Sequence, residues 1–167
     1  MAFIFETQRL SVREITPSDA EDLAFVLADP LVMKHSTVGV HSELQINDFI
    51  KNCQQQYRIN GYGHWIIYNN FNEFVGVCGL NKHQVGDKEL VHINYRLATS
   101  QQGKGYAVES TQGVLSFAKD TLALSWVYAL IEPDNVNSVK VVNRAGFTFI
   151  ESSVFRGFDI DIYQHSL

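Results

Sequence analysis

The sequence is poor in proline, cysteine and long apolar segments, and each shortage excludes a class of protein. Only three Pro and two Cys occur in 167 residues, so neither a proline-rich linker nor a disulfide framework is expected. No apolar run approaches the roughly 20 residues that cross a bilayer, and the first residues lack the basic and apolar regions of a signal peptide. We therefore expect a soluble cytoplasmic protein that binds no membrane.

Positive charge is scarce as well. Lys and Arg total 13 against 18 Asp and Glu, which gives a formal net charge of −5. Binding along a phosphate backbone needs a basic surface, so the composition predicts no DNA partner. The six His residues show neither an HExxH pattern nor a pairing with Cys at ligand spacing, so we also predict no metal site.

The chain does contain apolar residues at strand-like and helix-like spacing along its whole length, and no linker divides it. Hydrophobic residues make up 46% of the sequence, which suits one core and a single domain over residues 1–167. Alternating and helical periodicities predict the order β-α-α-β-β-β-α-β-α-β-β, an α/β (α+β mixed) fold with helices on both faces of a sheet. The strands are predicted at 9–15, 64–70, 73–80, 88–97, 125–131, 147–150 and 159–164, and the helices at 16–29, 42–59, 107–122 and 135–146.

A glycine-containing loop follows the strand that ends at Leu97. Gly103 and Gly105 stand just before a helix, and glycine lets the backbone approach a ligand closely and present successive N–H groups. The start of the helix adds unpaired N–H donors and the positive end of its dipole. Such a loop can hold a diphosphate. The spacing is neither that of a nucleotide P-loop nor that of a dinucleotide fingerprint.

A second turn from strand to helix lies about thirty residues further on, at Glu132–Ser138. Asn135 can cap the helix that follows, and Gly146 can end it. Two consecutive turns with polar groups at the carboxyl ends of strands indicate one ligand crevice between them.

These two segments carry a family resemblance. Residues 102–107, QGKGYA, match the pattern (Q/R)-x-x-G-x-(G/A), and residues 133–147 match P-x-N-x-x-S…G-F. With residues 7–14, 61–65 and 75–80, they resemble the RimJ/RimL-like branch of the GNAT superfamily, the ribosomal-protein N-acetyltransferases. The resemblance covers nearly the whole chain. It implies a GNAT-like mixed, mostly antiparallel twisted sheet of about seven strands with helices on both faces.

The resemblance also implies a donor and its site. Acetyl-CoA is the expected co-substrate, in a V-shaped opening between the strand that ends near Leu97 and the strand at 125–131. Pantetheine would run along the edge of the first strand, and backbone N–H groups near Leu97 to Thr99 would polarise the acetyl carbonyl. The cofactor-binding residues implied are Leu97, Ala98, Thr99, Gln102, Gly103, Lys104, Gly105, Tyr106, Ala107, Asn135 and Ser138.

The candidate catalytic residues are Ser138, His92 and Glu89. Ser138 matches a family Ser that protonates the departing thiolate, and its alternative is a helix Ser that bonds to backbone. The Tyr that many members use as the acid is replaced by Val142. His92 and Glu89 are candidates for the general base, but their opposite parity means that a regular strand cannot turn both to the crevice. Asn135 either contacts pantetheine or caps its helix.

The predicted reaction is direct acetyl transfer to a primary amine, because no Cys or Ser lies in a recognisable nucleophile–base arrangement. The expected acceptor is a protein or peptide N-terminal amine. A polyamine, amino acid or aminoglycoside stays open as the acceptor, and an acidic pocket would favour a polyamine or aminoglycoside. A non-catalytic acyl-CoA-binding protein, a donor longer than acetyl and a homodimer also stay open. Glu109, early in the third helix, is expected to have a structural role.

Overall fold

A computed structural model describes residues 2–167. They form one eight-stranded sheet in the order β1-β2-β3-β4-β5-β6-β8-β7, antiparallel except for the parallel pair β5 and β6. The strands are β1 (Phe5–Glu6), β2 (Leu10–Glu14), β3 (His64–Asn69), β4 (Phe74–Val85), β5 (Lys88–Leu97), β6 (Trp126–Ile131), β7 (Thr148–Phe155) and β8 (Phe158–Ser166), and the helices are α1 (Ala20–Leu27), α2 (Glu43–Asn60), α3 (Tyr106–Asp120) and α4 (Val136–Arg144).

The predicted fold class is confirmed, and every predicted strand and helix is present. The prediction missed β1, because two residues are too short to show an alternating pattern; Phe5 pairs with Val12 of β2. It also ended β4 at residue 80, whereas the strand continues to Val85. Among the helices of residues 2–167, none has both the length and the apolar character needed to cross a membrane.

The sheet separates the two larger of its three apolar cores. On one face, Val114 of α3 and Val142 of α4 pack with Leu97 of β5. On the other face, Leu23 of α1 packs with Ile66 of β3, together with α2. We call these the α3–α4 face and the α1–α2 face. Each core excludes water from one side of the sheet, which contributes roughly 25 cal/mol for each Å² of apolar surface buried.

Helix α2 is capped at both ends. The Ser42 hydroxyl accepts from the Gln45 N–H at 3.2 Å, and the Gln45 side chain accepts from the Ser42 N–H at 2.7 Å. Gly61 closes α2 in the left-handed conformation, as its position predicts. Ser at this position stabilises a helix by about 1 kcal/mol relative to Ala.

A gap opens in the middle of the sheet. β5 pairs with β4 along its whole length, from Lys88 to Leu97. With β6 it pairs only at His92 and Tyr128, and within residues 2–167 no later residue of β5 has a β6 partner. We call the gap between residues 93–97 of β5 and residues 129–131 of β6 the strand cleft. It lies where the V-shaped opening is expected.

Candidate functional site

The loop at residues 102–107, the glycine loop, begins α3 at one end of the strand cleft. Gly103 has φ +77° and Gly105, the N-cap of α3, has φ +81°. A side chain at position 103 would meet open space, and one at 105 would lie 3.3 Å from Arg9 Nη2. Because the two glycines carry no side chains, a ligand can approach the first-turn N–H groups of α3 closely. An anionic diphosphate fits such a site.

The side chains of the loop hold its shape. Gln102 Nε2 donates to the Leu97 carbonyl at 3.1 Å, so the loop folds back on the end of β5. Lys104 Nζ lies 3.3 Å from Gln101 Oε1, and the Lys104 side chain is otherwise exposed. Gln102 thus positions the loop, and its backbone rather than its side chain remains free for a ligand.

Side chains of the N-terminal segment hold the glycine loop and the first turn of α3 in place. Glu109 accepts from Thr7 Oγ1 at 2.7 Å, from the Arg9 N–H at 2.8 Å and from Arg9 Nε at 2.6 Å. Arg9 Nη1 also donates to the Lys104 carbonyl at 2.8 Å, and its guanidinium lies 4.6 Å from the centre of the Tyr106 ring. These contacts accord with the structural role expected of Glu109. We call these residues the Arg9 clamp.

Replacing Glu109 by Gln is expected to lower the free energy of unfolding by about 1–2 kcal/mol, since one acceptor and the ion pair are lost. Burial raises the pKa of Glu109, but the bonds from Thr7 and Arg9 outweigh it and leave the pKa below its ordinary value. This stabilisation is therefore complete above the ordinary glutamate pKa and is lost as pH falls through the folded value. Urea unfolding at about pH 7 and about pH 3.5 should show the difference shrinking in acid.

The matched control for this variant is Glu151→Gln, which removes a carboxylate from the exposed face of β7. It should change stability by less than about 0.5 kcal/mol at either pH. An equal loss in both variants would mean that net charge, rather than the Arg9 clamp, sets the effect.

The edge of β5 supplies free amides on the strand cleft. The Ala98 N–H donates to the Val75 carbonyl at 2.9 Å, so Ala98 uses its amide to bind β4. Along an antiparallel pair, successive residues turn their N–H groups alternately toward and away from the partner strand. The N–H groups of Leu97 and Tyr95 therefore point away from β4 and into the strand cleft. The expectation that amides from Leu97 to Thr99 are available is therefore wrong for Ala98, and Tyr95 joins Leu97 as a donor.

The start of α4 lies across the strand cleft from the glycine loop, because it follows β6 at the same edge of the sheet where the loop follows the parallel strand β5. Asn135 Oδ1 accepts from the Ser138 N–H at 3.3 Å, so Asn135 does cap this helix. The Tyr95 hydroxyl donates to the Ser138 carbonyl at 3.2 Å and ties β5 to α4. Burial raises the pKa of Tyr95 to about 12, which keeps that hydroxyl protonated. Val142 is fully buried in the core and offers no hydroxyl.

His92 lies at the position where β5 pairs with β6, just before the strand cleft begins. A second imidazole, that of His83, lies beside it. His83 Nδ1 is 2.7 Å from His92 Nε2, and Arg156 Nη2 is 3.1 Å from His83 Nε2. A guanidinium can only donate, so a neutral His83 accepts at Nε2 and donates from Nδ1, and this occupies the lone pair of His92 Nε2. Burial, followed by the charge of His83, lowers the pKa of His92 to about 3. These contacts make His92 a poor proton acceptor.

Glu89 is far from the strand cleft. It pairs with Gln84 beside the β4–β5 turn, so eight residues, or about 26 Å of strand, separate it from Leu97. Its side chain is 62% exposed and lies 3.9 Å from Lys82. The interpretation of Glu89 as a general base therefore has no support from its position.

His35, which the sequence offers as a residue of the acceptor side, forms a pair with Glu132 that the sequence does not predict. His35, in the connection between α1 and α2, has Nδ1 3.3 Å from Glu132 Oε2, at the end of β6. Both side chains are half-buried. The available signal was a carboxylate directly after a central strand, where sites of open sheets form.

The same pair belongs to a cluster that could hold a metal ion. The ligand atoms of His35, Glu132 and Asp134 all lie within 4.8 Å of one another, and Asp134 is 80% exposed. An exposed carboxylate of this kind is ordinary on a protein surface. The absence of a metal site stays a prediction.

Comparison with known proteins places this geometry in a family. Residues 9–148 match the family described as Acetyltransferase (GNAT) domain. A protein of Bacillus licheniformis named as an uncharacterized N-acetyltransferase, p20, is 28% identical over 173 residues, with 96% of this chain and 93% of that protein covered.

Two solved structures share the fold. One is an acetyltransferase of Salmonella typhimurium that modifies the N-terminal serine of ribosomal protein L7/L12, with TM-score 0.84, 20% identity and 99% of each chain covered. The other is spermidine N-acetyltransferase of Vibrio cholerae in complex with CoA and spermine, with TM-score 0.78, 14% identity and 96% of each chain covered.

At these identities the structural likeness shows the fold alone, whereas the family match spans most of the chain and includes the glycine loop, the strand cleft and the start of α4. The chain therefore belongs to the GNAT family of acetyltransferases and is an N-acetyltransferase.

Proposed function

We propose that this N-acetyltransferase moves the acetyl group of acetyl-CoA directly to the N-terminal amine of a protein or peptide. The observation that carries the proposal is the strand cleft. The glycine loop and the start of α4 lie on its α3–α4 face, and a different set of polar side chains lies on its α1–α2 face. A donor and an acceptor can therefore meet from opposite sides of the sheet.

The donor fits the α3–α4 face. The free amides of the glycine loop suit a diphosphate, and the open edge of β5 offers the N–H groups of Tyr95 and Leu97 and the C=O group of Tyr95 to an extended amide-containing chain such as pantetheine. Asn135, the cap of α4, lies on the same face, whereas Ala98 is buried in the core of the α1–α2 face. Acetyl-CoA, when bound there, supplies the thioester that the amine attacks.

The chain's own residues then divide the work of transfer. The Tyr95 and Leu97 amides can donate to the carbonyl oxygen as negative charge develops on it, which is the strongest single contribution such sites make. The Ser138 hydroxyl, in the first turn of α4, can donate a proton to the departing thiolate. Within residues 2–167 neither thiol is placed for attack: Cys53 and Cys78 are both buried, and burial raises the pKa of Cys53 to about 12.

The proton of the attacking amine needs an acceptor, and His35 with Glu132 is better placed for this role than His92. The Glu132 carboxylate can hold the Nδ1–H of His35, which leaves Nε2 as the basic nitrogen. His35→Gln should lower kcat/KM on the order of tenfold, because water can partly replace a base. His92→Gln should have a smaller effect than His35→Gln on kcat/KM and on the pH profile of kcat/KM. A larger loss in His92→Gln would return the role to His92.

The choice of a peptide over a polyamine rests on charge. On the α1–α2 side of the strand cleft, the guanidinium groups of Arg96 and Arg156, described below, would repel a cationic polyamine. The carboxylates on that side, Glu132 and Asp134, lie beside His35. Enzymes similar in fold act on the N-terminal serine of a ribosomal protein and on spermidine, so the fold accommodates both acceptors and the charge distinguishes between them.

The test is a release assay for CoA thiol with purified protein and acetyl-CoA. Peptides with free N-termini should be turned over, and spermidine and an aminoglycoside should be turned over more slowly. Calorimetric titration with CoA and acetyl-CoA runs in parallel. Binding without turnover of any amine would contradict the enzymatic proposal, and faster turnover of spermidine would contradict the acceptor.

A further inference from the structure

Arg96 is a half-buried cation whose partner is missing from the fold. It lies near the end of β5, and its cross-strand neighbour Val77 belongs to the core of the α1–α2 face. Its side chain therefore projects on that face. Within residues 2–167 the guanidinium makes no ion pair or hydrogen bond with another residue. Burial, followed by the charge of Arg156, lowers its pKa.

The groups around Arg96 are imidazoles and a second guanidinium. Burial and then the charge of Arg96 lower the pKa of His64 to about 3, and they also lower the pKa of His41. His41 Nδ1 is buried and has no hydrogen-bond partner in the described chain. Arg156, on the β7–β8 turn, donates to His83, which lies beside His92 on the same strand as Arg96. The site thus combines one unpaired guanidinium with a second one and an unpaired imidazole nitrogen.

The other partly buried arginines do have carboxylate partners. Arg13 pairs with Asp19 through two hydrogen bonds of 2.8 Å, and Arg9 pairs with Glu109 at 2.6 Å. A guanidinium withdrawn from water without an anion is unfavourable, and its planar fork binds a carboxylate through two parallel bonds. Arg96 thus differs from them in lacking an internal anion, and a ligand can supply one.

The position of Arg96 relates this anion site to the acceptor. Counting four residues from the His92–Tyr128 pair leads along β5 to Arg96 and along β6 to Glu132, on the two sides of the strand cleft. His35 and Glu132 can face an amine on one side while Arg96 faces an anion on the other. The glycine loop, which suits the donor, belongs to the opposite face of the sheet.

We infer that the acceptor carries a carboxylate close to its reactive amine, and that Arg96, supported by Arg156, binds that carboxylate. The inference rests on the proposed acetylation of an amine at the strand cleft. Two sources share this chemistry: the side chain of an acidic residue near a peptide N-terminus, and the α-carboxylate of a free amino acid. Arg96 is a residue that determines specificity, and it takes no part in the proton transfers.

The first experiment compares matched acceptors on the unaltered protein. The pairs are Ser-Glu-Ala-Tyr-amide against Ser-Gln-Ala-Tyr-amide, and free serine against serinamide. The carboxylate member of at least one pair should have a kcat/KM about tenfold higher or more, which corresponds to one additional charged contact. The pair that shows the preference identifies the source. Turnover of both pairs without any preference would overturn the inference and leave the proposed function intact; no turnover of any amine would instead contradict the proposed function.

The second experiment assigns the preference to Arg96 and reads binding as well as rate. Arg96→Met should abolish the preference, Arg96→Lys should keep part of it, and Arg58→Met, which removes an exposed Arg from the end of α2, should leave it unchanged. Calorimetric titration of the preferred pair into protein saturated with CoA should show the same tenfold difference and its loss in Arg96→Met. A preference that survives in folded Arg96→Met would contradict the assignment. If that variant does not fold, Arg96→Lys and the acceptor pairs still decide.

Discussion

Gly105→Asp is expected to weaken the binding of CoA by more than about 100-fold while the protein stays folded. A carboxylate at the N-cap of α3 would repel a diphosphate and compete for the amides of the glycine loop. Two charge-assisted hydrogen bonds contribute about 1.5–3 kcal/mol each, so their loss accounts for this factor. The fold should tolerate the change, because Asp is among the residues that adopt a left-handed φ and the tight contact of its Cβ, 3.3 Å from Arg9 Nη2, is with the end of a flexible side chain that can shift.

Two further variants separate charge from shape. Gly105→Ala adds only a methyl group and should weaken CoA binding far less than Gly105→Asp. Gly86→Asp makes the same substitution at φ +60° with open space around it, in the β4–β5 turn, and should bind CoA normally. Calorimetric titration and thermal unfolding of all three variants measure both properties. Unchanged CoA affinity in Gly105→Asp would show that the glycine loop is not the diphosphate site.

The parts of the site that local chemistry specifies could be predicted from the sequence. Gly103 and Gly105 before a helix imply positive φ and free amides whatever the rest of the chain does, and both angles are found. Asn135 likewise caps α4, since a capping side chain needs only the backbone three residues away. The order of β5, α3, β6 and α4 around the strand cleft was predicted from the family resemblance, because the two motifs locate these four elements along the sequence.

Long-range contacts could not be predicted in the same way. The Arg9 clamp joins residues 100 positions apart, and the lone pair of His92 is occupied because β4 sets His83 beside it. No pattern near Glu89 reveals that it lies far along the strand from the cleft, since that depends on where β5 ends. That no carboxylate pairs with Arg96 becomes visible only when the α1–α2 face is folded around it.

Ser138→Ala is expected to reduce kcat by about 100-fold while the affinity for acetyl-CoA stays nearly unchanged. Removing a proton donor to the departing thiolate acts on the transition state, and general acids contribute typically 10²–10⁴-fold. The Ser138 backbone makes its contacts to Asn135 and Tyr95 through N–H and C=O, so Ala keeps both and the start of α4 should persist. Steady-state kinetics with calorimetry of acetyl-CoA binding separates the two quantities.

The same variant series distinguishes a hydroxyl that donates a proton from one that only fills space. Ser138→Thr retains the hydroxyl and should recover much of the rate, whereas Ser116→Ala, on the exposed side of α3, should behave like the unaltered protein. The departing thiolate of a thioester with a more acidic thiol needs less protonation. With such a thioester, the difference in kcat between Ser138→Ala and the unaltered protein should therefore be smaller. Equal turnover in Ser138→Ala with acetyl-CoA would remove Ser138 from the reaction and leave the Tyr95 hydroxyl, 3.2 Å from its carbonyl, as the nearest remaining hydroxyl at the start of α4.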